Sequence, residues 1–166
     1  MKMRTLVSCF LITVICFCSC TPHHSSMSKL NYDWECDYVK FKVNKNWDFS
    51  EGSGYADSAY GLWSWKDNEG YNSIEFDVYY SFLYKKKDKF EAESYYNKNK
   101  NPEDMNVESS FVSNNQAYIV ISKPKDSNYK IIKFYSDNLI GSFKYAYYDE
   151  TIVKNIIASM TFKSIK

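Results

Sequence analysis

Between residues 38 and 47 the chain reads Tyr-Val-Lys-Phe-Lys-Val-Asn-Lys-Asn-Trp. Val39, Phe41 and Val43 alternate with Lys40, Lys42 and Asn44, the period of a strand with one dry face and one wet face. Asn44-Lys45-Asn46 has turn chemistry, and Trp47 brings a large apolar body back onto the fold. The rest of the chain is expected to complete this first strand with further sheet and with helices that cover it.

The length, 166 residues, suits one domain with a sizeable core. Aromatic residues make up 19%, led by 16 tyrosines. Tyrosine can be half buried with its hydroxyl in water, so this excess favours strands of a one-sided sheet. Only 5 glycines and 3 prolines are present, which argues against disorder. The net charge is +1. Loss of residues 1–19 would remove Lys2 and Arg4 and no acid, turning +1 into −1. A near-neutral domain lacks the electrostatic footprint of a nucleic-acid binder.

The N-terminus is read as an export signal. Lys2 and Arg4 precede an apolar run from Leu6 to Cys18, broken only by Ser8 and Thr13 and too short to span a bilayer. Its end, Phe17-Cys18-Ser19-Cys20, resembles a bacterial lipobox, with Phe17 where Leu is usual. The resemblance implies cleavage before Cys20 and a lipid on that cysteine, which would anchor the chain stably once more than one acyl chain is attached. The expected organisation is therefore a signal peptide over 1–19, a lipid-anchored polar tether over 20–30, and a single domain over 31–166. The tether carries the only histidines, His23 and His24, without further ligands at metal spacing. Cys36 is then the lone cysteine of the domain. Glu35 and Asp37 beside it are expected to raise its pKa and keep it unreactive.

After a polar loop over 48–59, residues 60–66 and 73–82 read as strands. Trp63 and Trp65 share one face of the former. Ile74, Phe76, Val78 and Tyr80 face inward on the latter, with Tyr79 opposite. Residues 84–100 carry a weak helical pattern in Phe90, Ala92, Tyr95 and Tyr96, ended by Asn101-Pro102. The run Lys85-Lys86-Lys87-Asp88-Lys89 is read as a solvated helix end rather than a polyanion site. Four strands follow, over 106–112, 116–122, 129–135 and 139–148, with hairpin signals at Ser113-Asn114-Asn115 and Ser136-Asp137-Asn138. Leu139, Gly141, Phe143, Tyr145 and Tyr147 share a face. Asp149 is the expected N-cap of a last helix whose stripe is Ile152, Val153, Ile156, Ile157 and Met160. Residues 160–164 can add a terminal extended segment.

This order resembles the PsbP-like superfamily, carried by Val39-Lys-Phe-Lys-Val43 with Trp47 and by Ile156-Ile-Ala-Ser-Met-Thr-Phe162. Asn44 stands where its members usually have proline. The resemblance implies an α+β fold, a mostly antiparallel six- to seven-stranded sheet covered by two helices. The superfamily includes many bacterial lipoproteins of unassigned function. Plant members act at the lumenal face of a photosystem, and no residue of theirs maps onto this chain.

The domain has no histidine to serve as a base, no glycine-rich phosphate loop and no zinc or calcium signature. Glu91 and Glu93, two apart on a helix, point away from each other. A Ser-Lys dyad is conceivable but unmarked. The chain is therefore expected to be a non-enzymatic binding or assembly factor, without cofactor or metal, lipid-anchored in a bacterial cell envelope. It would sit on the outer side of the cytoplasmic membrane or on the outer membrane, with an envelope protein or a glycan as partner. The alternative is a glycan- or peptide-binding module using Trp63, Trp65 and Tyr79 as an aromatic strip. Against the strip stands the tendency of aromatic strands to pack inward.

Overall fold

The structure is a computed structural model that describes residues 30–52, 60–67, 73–100, 105–122, 128–146 and 150–164. The signal peptide, Cys20, the two tether histidines, Asn101-Pro102, Tyr147 and Asp149 lie outside the described residues. In chain order the elements are β1 (Tyr32–Glu35), β2 (Val39–Val43), β3 (Asp48–Glu51), β4 (Tyr60–Lys66), β5 (Ser73–Tyr80), α1 (Lys89–Asn99), β6 (Asn106–Ser113), β7 (Gln116–Ser122), β8 (Tyr129–Ser136), β9 (Leu139–Ala146), α2 (Glu150–Ala158) and β10 (Thr161–Phe162).

The strands form two antiparallel sheets. The larger has seven strands in the order β3-β4-β5-β9-β8-β7-β6, and the smaller has three in the order β1-β2-β10. The chain leaves β5, passes through α1, lays down β6 at the far edge, and returns by hairpins until β9 pairs with β5. In that central pairing Phe76 faces Phe143 and Val78 faces Gly141. A Cβ at position 141 would stand 2.5 Å from the Phe134 ring, so glycine is what lets the neighbouring strand's aromatic lie flat there.

Period-two alternation decides the faces. Trp65, Ile74, Phe76, Val78, Tyr118, Val120, Ile132, Phe134 and Phe143 point to one side of the large sheet. There they meet Val39, Phe41 and Val43 of the small sheet and Ile152, Val153, Ile156 and Ile157 of α2. Ile119, Ile121 and Tyr135 point to the other side, where Ala92 of α1 and Met105 cover them. The molecule is thus layered: α1, then the large sheet, then the small sheet with α2.

Two hairpin turns use the expected chemistry. Asn114 and Asn115 have φ of 48° and 59°, and Asn138 has 63°, left-handed values that asparagine tolerates and that suit the twist of adjoining strands. Asn114 also ties layers together. Its Nδ2 donates to the carbonyls of Ala158 (3.0 Å) and Met160 (2.9 Å), occupying acceptors that the end of α2 leaves open.

The structure differs from the sequence reading in four places. Residues 48–51, expected as loop, form β3, whose pairing runs from Asp48 opposite Lys66 to Glu51 opposite Trp63. All four residues of β3 are exposed, so no burial alternation marked the strand. β1 was likewise unmarked, because only Trp34 of its four residues is buried. The first strand, β2, sits in the small sheet rather than the large one, because β1 and β10 take both its edges. Finally α1 begins at Lys89, not Tyr84. Asp88 accepts from the Glu91 amide and Glu91 returns the bond to the Asp88 amide, a reciprocal cap that sets the start. Phe90 falls on the outer side of that helix and is 79% exposed, whereas Ala92 is buried.

The cap from the β6–β7 turn onto α2 is testable. Asn114→Gly keeps the left-handed backbone but removes the donor, and is expected to cost about 1 kcal/mol in denaturant unfolding. Asn114→Ala loses the donor and also strains the backbone, for about 1 kcal/mol more. Equal stability of both variants and the parent would refute this role.

Candidate functional site

The small sheet and the β3–β4 edge of the large sheet meet along an aromatic seam. Trp34, the one buried residue of β1, reaches across it. Its ring lies 4.7 Å from Phe41 on its own sheet, and 5.0 Å and 5.1 Å from Trp63 and Trp65 on β4. The two tryptophan contacts are edge-to-face, the arrangement favoured by ring quadrupoles. Beside this seam lies an open cleft of about 970 Å³. All 4 tryptophans of the chain line it: Trp34, Trp47, Trp63 and Trp65.

The depth of each ring differs. Trp65 and Trp34 are nearly closed to solvent at 2% and 8%. Trp63 is half-buried and folds over Gly61, where a Cβ would stand 2.0 Å from its ring. Its Nε1 donates to Glu51 Oε1 at 3.2 Å, fixing the indole to β3 across the strand pair. Tyr32 on β1 and Phe49 on β3 are about half exposed and give the cleft its accessible aromatic surface.

Charge around the cleft is unbalanced. The lining holds the carboxylates Asp33, Glu35, Asp37 and Glu51 against two lysines, Lys40 and Lys45. Asp33 pairs with Lys40 at 3.3 Å, and Glu35 with Lys163 at 3.1 Å. These pairs are exposed to solvent and screened, so they hold local geometry more than they stabilise the fold. Both walls are also edge strands, β1 of the small sheet and β3 of the large sheet. Each presents backbone groups that no described strand pairs.

The structure brings Trp63 and Trp65 onto one face, as their spacing requires, and that face is the inner one. Tyr79 is not with them. It lies on the opposite side of β5, 42% exposed, in edge contact with Tyr84. Sequence reasoning missed Trp34, Trp47 and Phe49. The available signal was the pairing of aromatics two residues apart, Tyr32 with Trp34 and Trp47 with Phe49, once each pair is placed in extended chain. Cys36 lines the cleft and is half-buried. Burial pushes its thiol pKa above the ordinary value, opposed by backbone hydrogen bonds at Tyr38 and Val39 and by Lys163, with Asp37 adding to the rise. The direction agrees with the expectation, but desolvation is the leading cause rather than the neighbouring acids.

Other candidate groups stand apart. Glu91 caps its own helix while Glu93 accepts from the Ser110 hydroxyl, so the two carboxylates serve different partners. Ser142, opposite Lys133 in the β8–β9 ladder, donates to Asp77, and neither Ser142 nor Lys133 lines the cleft. Burial raises the Asp77 carboxyl pKa while the Ser142 bond lowers it. Among the described residues no cluster of three or more His, Cys, Asp or Glu is placed to hold a metal ion. No described helix is long and apolar enough to cross a membrane.

Cys36 alkylation offers a check on this environment. Peptide-resolved labelling of the folded protein with iodoacetamide is expected to be slow at neutral pH. Its rate should reach half of its limiting value only above the ordinary thiol value of 9.0, because the thiolate forms later than usual. A plateau well below that pH would contradict the burial described here.

No protein-family model matches the sequence, and no curated protein matches it. Among solved structures, the solution structure of cyanobacterial PsbP (CyanoP) from Synechocystis sp. PCC 6803 superposes with a TM-score of 0.51 at 8% identity. The match covers 80% of this chain and 92% of that one. At so low an identity the likeness speaks to fold alone. With two helices and antiparallel sheets of seven and three strands among its described residues, this chain has an α+β, PsbP-like fold.

Proposed function

We propose that this protein is a non-enzymatic binding factor of a bacterial envelope, and that its aromatic cleft receives an extended segment of another protein. The observation that carries this reading is the pair of edge strands, β1 and β3, lining one tryptophan-floored cleft. An extended peptide can add to either edge through main-chain hydrogen bonds while its alternate side chains enter the groove. The surplus of carboxylates favours a basic segment, and Tyr32, Phe49 and the Trp63 edge offer surfaces for arginine or apolar side chains. A glycan is the weaker reading. Sugars stack on open ring faces, and Trp34 and Trp65 have almost none.

The probe is an octapeptide alternating arginine and valine, titrated into the full chain while tryptophan emission is followed. An acidic glutamate-valine peptide and a chito-oligosaccharide serve as comparisons. The basic peptide is expected to shift the emission, and Glu51→Gln with Asp33→Asn to weaken its binding roughly threefold to tenfold. A shift with the saccharide but with neither peptide would replace the peptide reading by the glycan one. Silence from all three would remove the cleft as a binding site.

The same reading places the chain on a membrane through a lipid at Cys20, supported by the lipobox-like run before it. Intact mass of the protein from its native membrane fraction is expected to exceed the mature polypeptide by the lipid, and Cys20→Ala to abolish that excess. A cleaved, unmodified mass would make it a freely secreted binding factor.

A further inference from the structure

The strongest feature outside the cleft is the segment joining β5 to α1. Phe82 and Leu83 are 73% and 74% exposed, and Phe90 is 79% exposed. Between them run Lys85, Lys86, Lys87 and Lys89. Large apolar side chains this open to water, set beside a lysine-rich run that only Asp88 interrupts, make an amphiphilic surface rather than an ordinary loop.

The exposure is imposed by the backbone. The Tyr84 amide donates to the Ser81 carbonyl at 3.0 Å, closing a turn with Phe82 and Leu83 at its two corners. The turn is bound to the β8–β9 hairpin at several points. The Ser81 amide donates to Asn138 O, the Asn138 amide to Tyr84 O, the Lys86 amide to Asp137 Oδ1, and the Lys87 amide to Tyr135 O, all between 2.8 and 3.2 Å. A loop so held cannot fold its two apolar corners back onto the core.

The charges are sorted as well. Asp88 and Asp137 accept backbone amides, and Glu91 completes the helix cap. These three carboxylates keep their charge but are tied to the protein's own main chain, and the four lysines of the segment outnumber them. Lys85, Lys86 and Lys89 remain exposed, while Lys87 lies over the Tyr95 ring at 4.5 Å. Lys86 to Lys89 also approach Val112 and Asn115, so the end of β6 adds a further exposed apolar side chain, Val112, beside the segment.

We infer that this tip is a membrane-docking surface: Phe82 and Leu83 enter the interfacial layer of a bilayer containing anionic lipid, with Lys85, Lys86 and Lys89 against the phosphates. Charge complementarity selects the occupant, since the lysine block matches an anionic headgroup layer and the paired apolar corners match the boundary beneath it. The inference concerns the domain's own surface and does not depend on a lipid at Cys20 or on the cleft.

The test uses the full-length Leu83→Trp variant bound to vesicles of phosphatidylcholine and phosphatidylglycerol whose acyl chains carry bromine. The added tryptophan is expected to make the variant lose clearly more emission than the wild-type protein under the same vesicles. This difference is read at the tip whatever the N-terminus contributes to binding. Lys85→Gln/Lys86→Gln/Lys89→Gln in the Leu83→Trp background is expected to lose that extra quenching at physiological salt. Phe82→Trp provides the same readout should Leu83→Trp not fold. Equal quenching of variant and wild type in the vesicle-bound state overturns the proposal. So does an added-tryptophan signal that changes with protein concentration without lipid, which would assign the tip to self-association.

Discussion

Trp34 is the contact on which the two-sheet arrangement depends. It is the only buried side chain of β1, and its ring touches Phe41 beneath it and Trp63, Trp65 and Phe76 across the seam. Aromatic pairs of this kind contribute about 0.5–1.5 kcal/mol each beyond the area they bury. Beside those ring contacts lies the cleft, lined by the edge strands β1 and β3.

The second constraint is the distance in sequence over which the layers are joined. Phe162 of β10 pairs with Val39 of β2, and β5 pairs with β9 only after α1 and three further strands intervene. The small sheet is complete only once the C-terminus returns, where the Lys163 amide donates to Tyr38 O. Asn114 holds the end of α2 from the far hairpin at the same time. Stability is therefore shared between the two ends of the chain, and neither sheet encloses its core alone.

The strands with one wet face were legible. Val39-Lys-Phe-Lys-Val43 and Ile74-Glu-Phe-Asp-Val78 show their alternation directly, and each buries the expected side. The stripe of α2 and both asparagine turns were equally plain. β1 and β3 were not, because short edge strands with exposed side chains carry no alternation to read. Phe90 misled for a related reason. A single aromatic in a polar helix counts toward an apolar face only if its turn is known, and the Asp88 cap turns it outward. At the cleft, the shared face of Trp63 and Trp65 was foreseeable. That they share a cleft with Trp34 and Trp47 was not, since it depends on which sheet β2 joins.

By itself the sequence determined the period of each well-marked strand, the α+β class, the hairpin turns at asparagine and the apolar stripe of the last helix. These are local matters, settled by side-chain spacing and by which residues tolerate a left-handed backbone. Only the tertiary structure decided that β2 leaves the main sheet, that four tryptophans line one cleft, and that Phe82 and Leu83 stand in water beside a lysine-rich run. Each is set by pairing between segments far apart in the chain. Local pattern states which face of a segment is apolar, but not what will cover it.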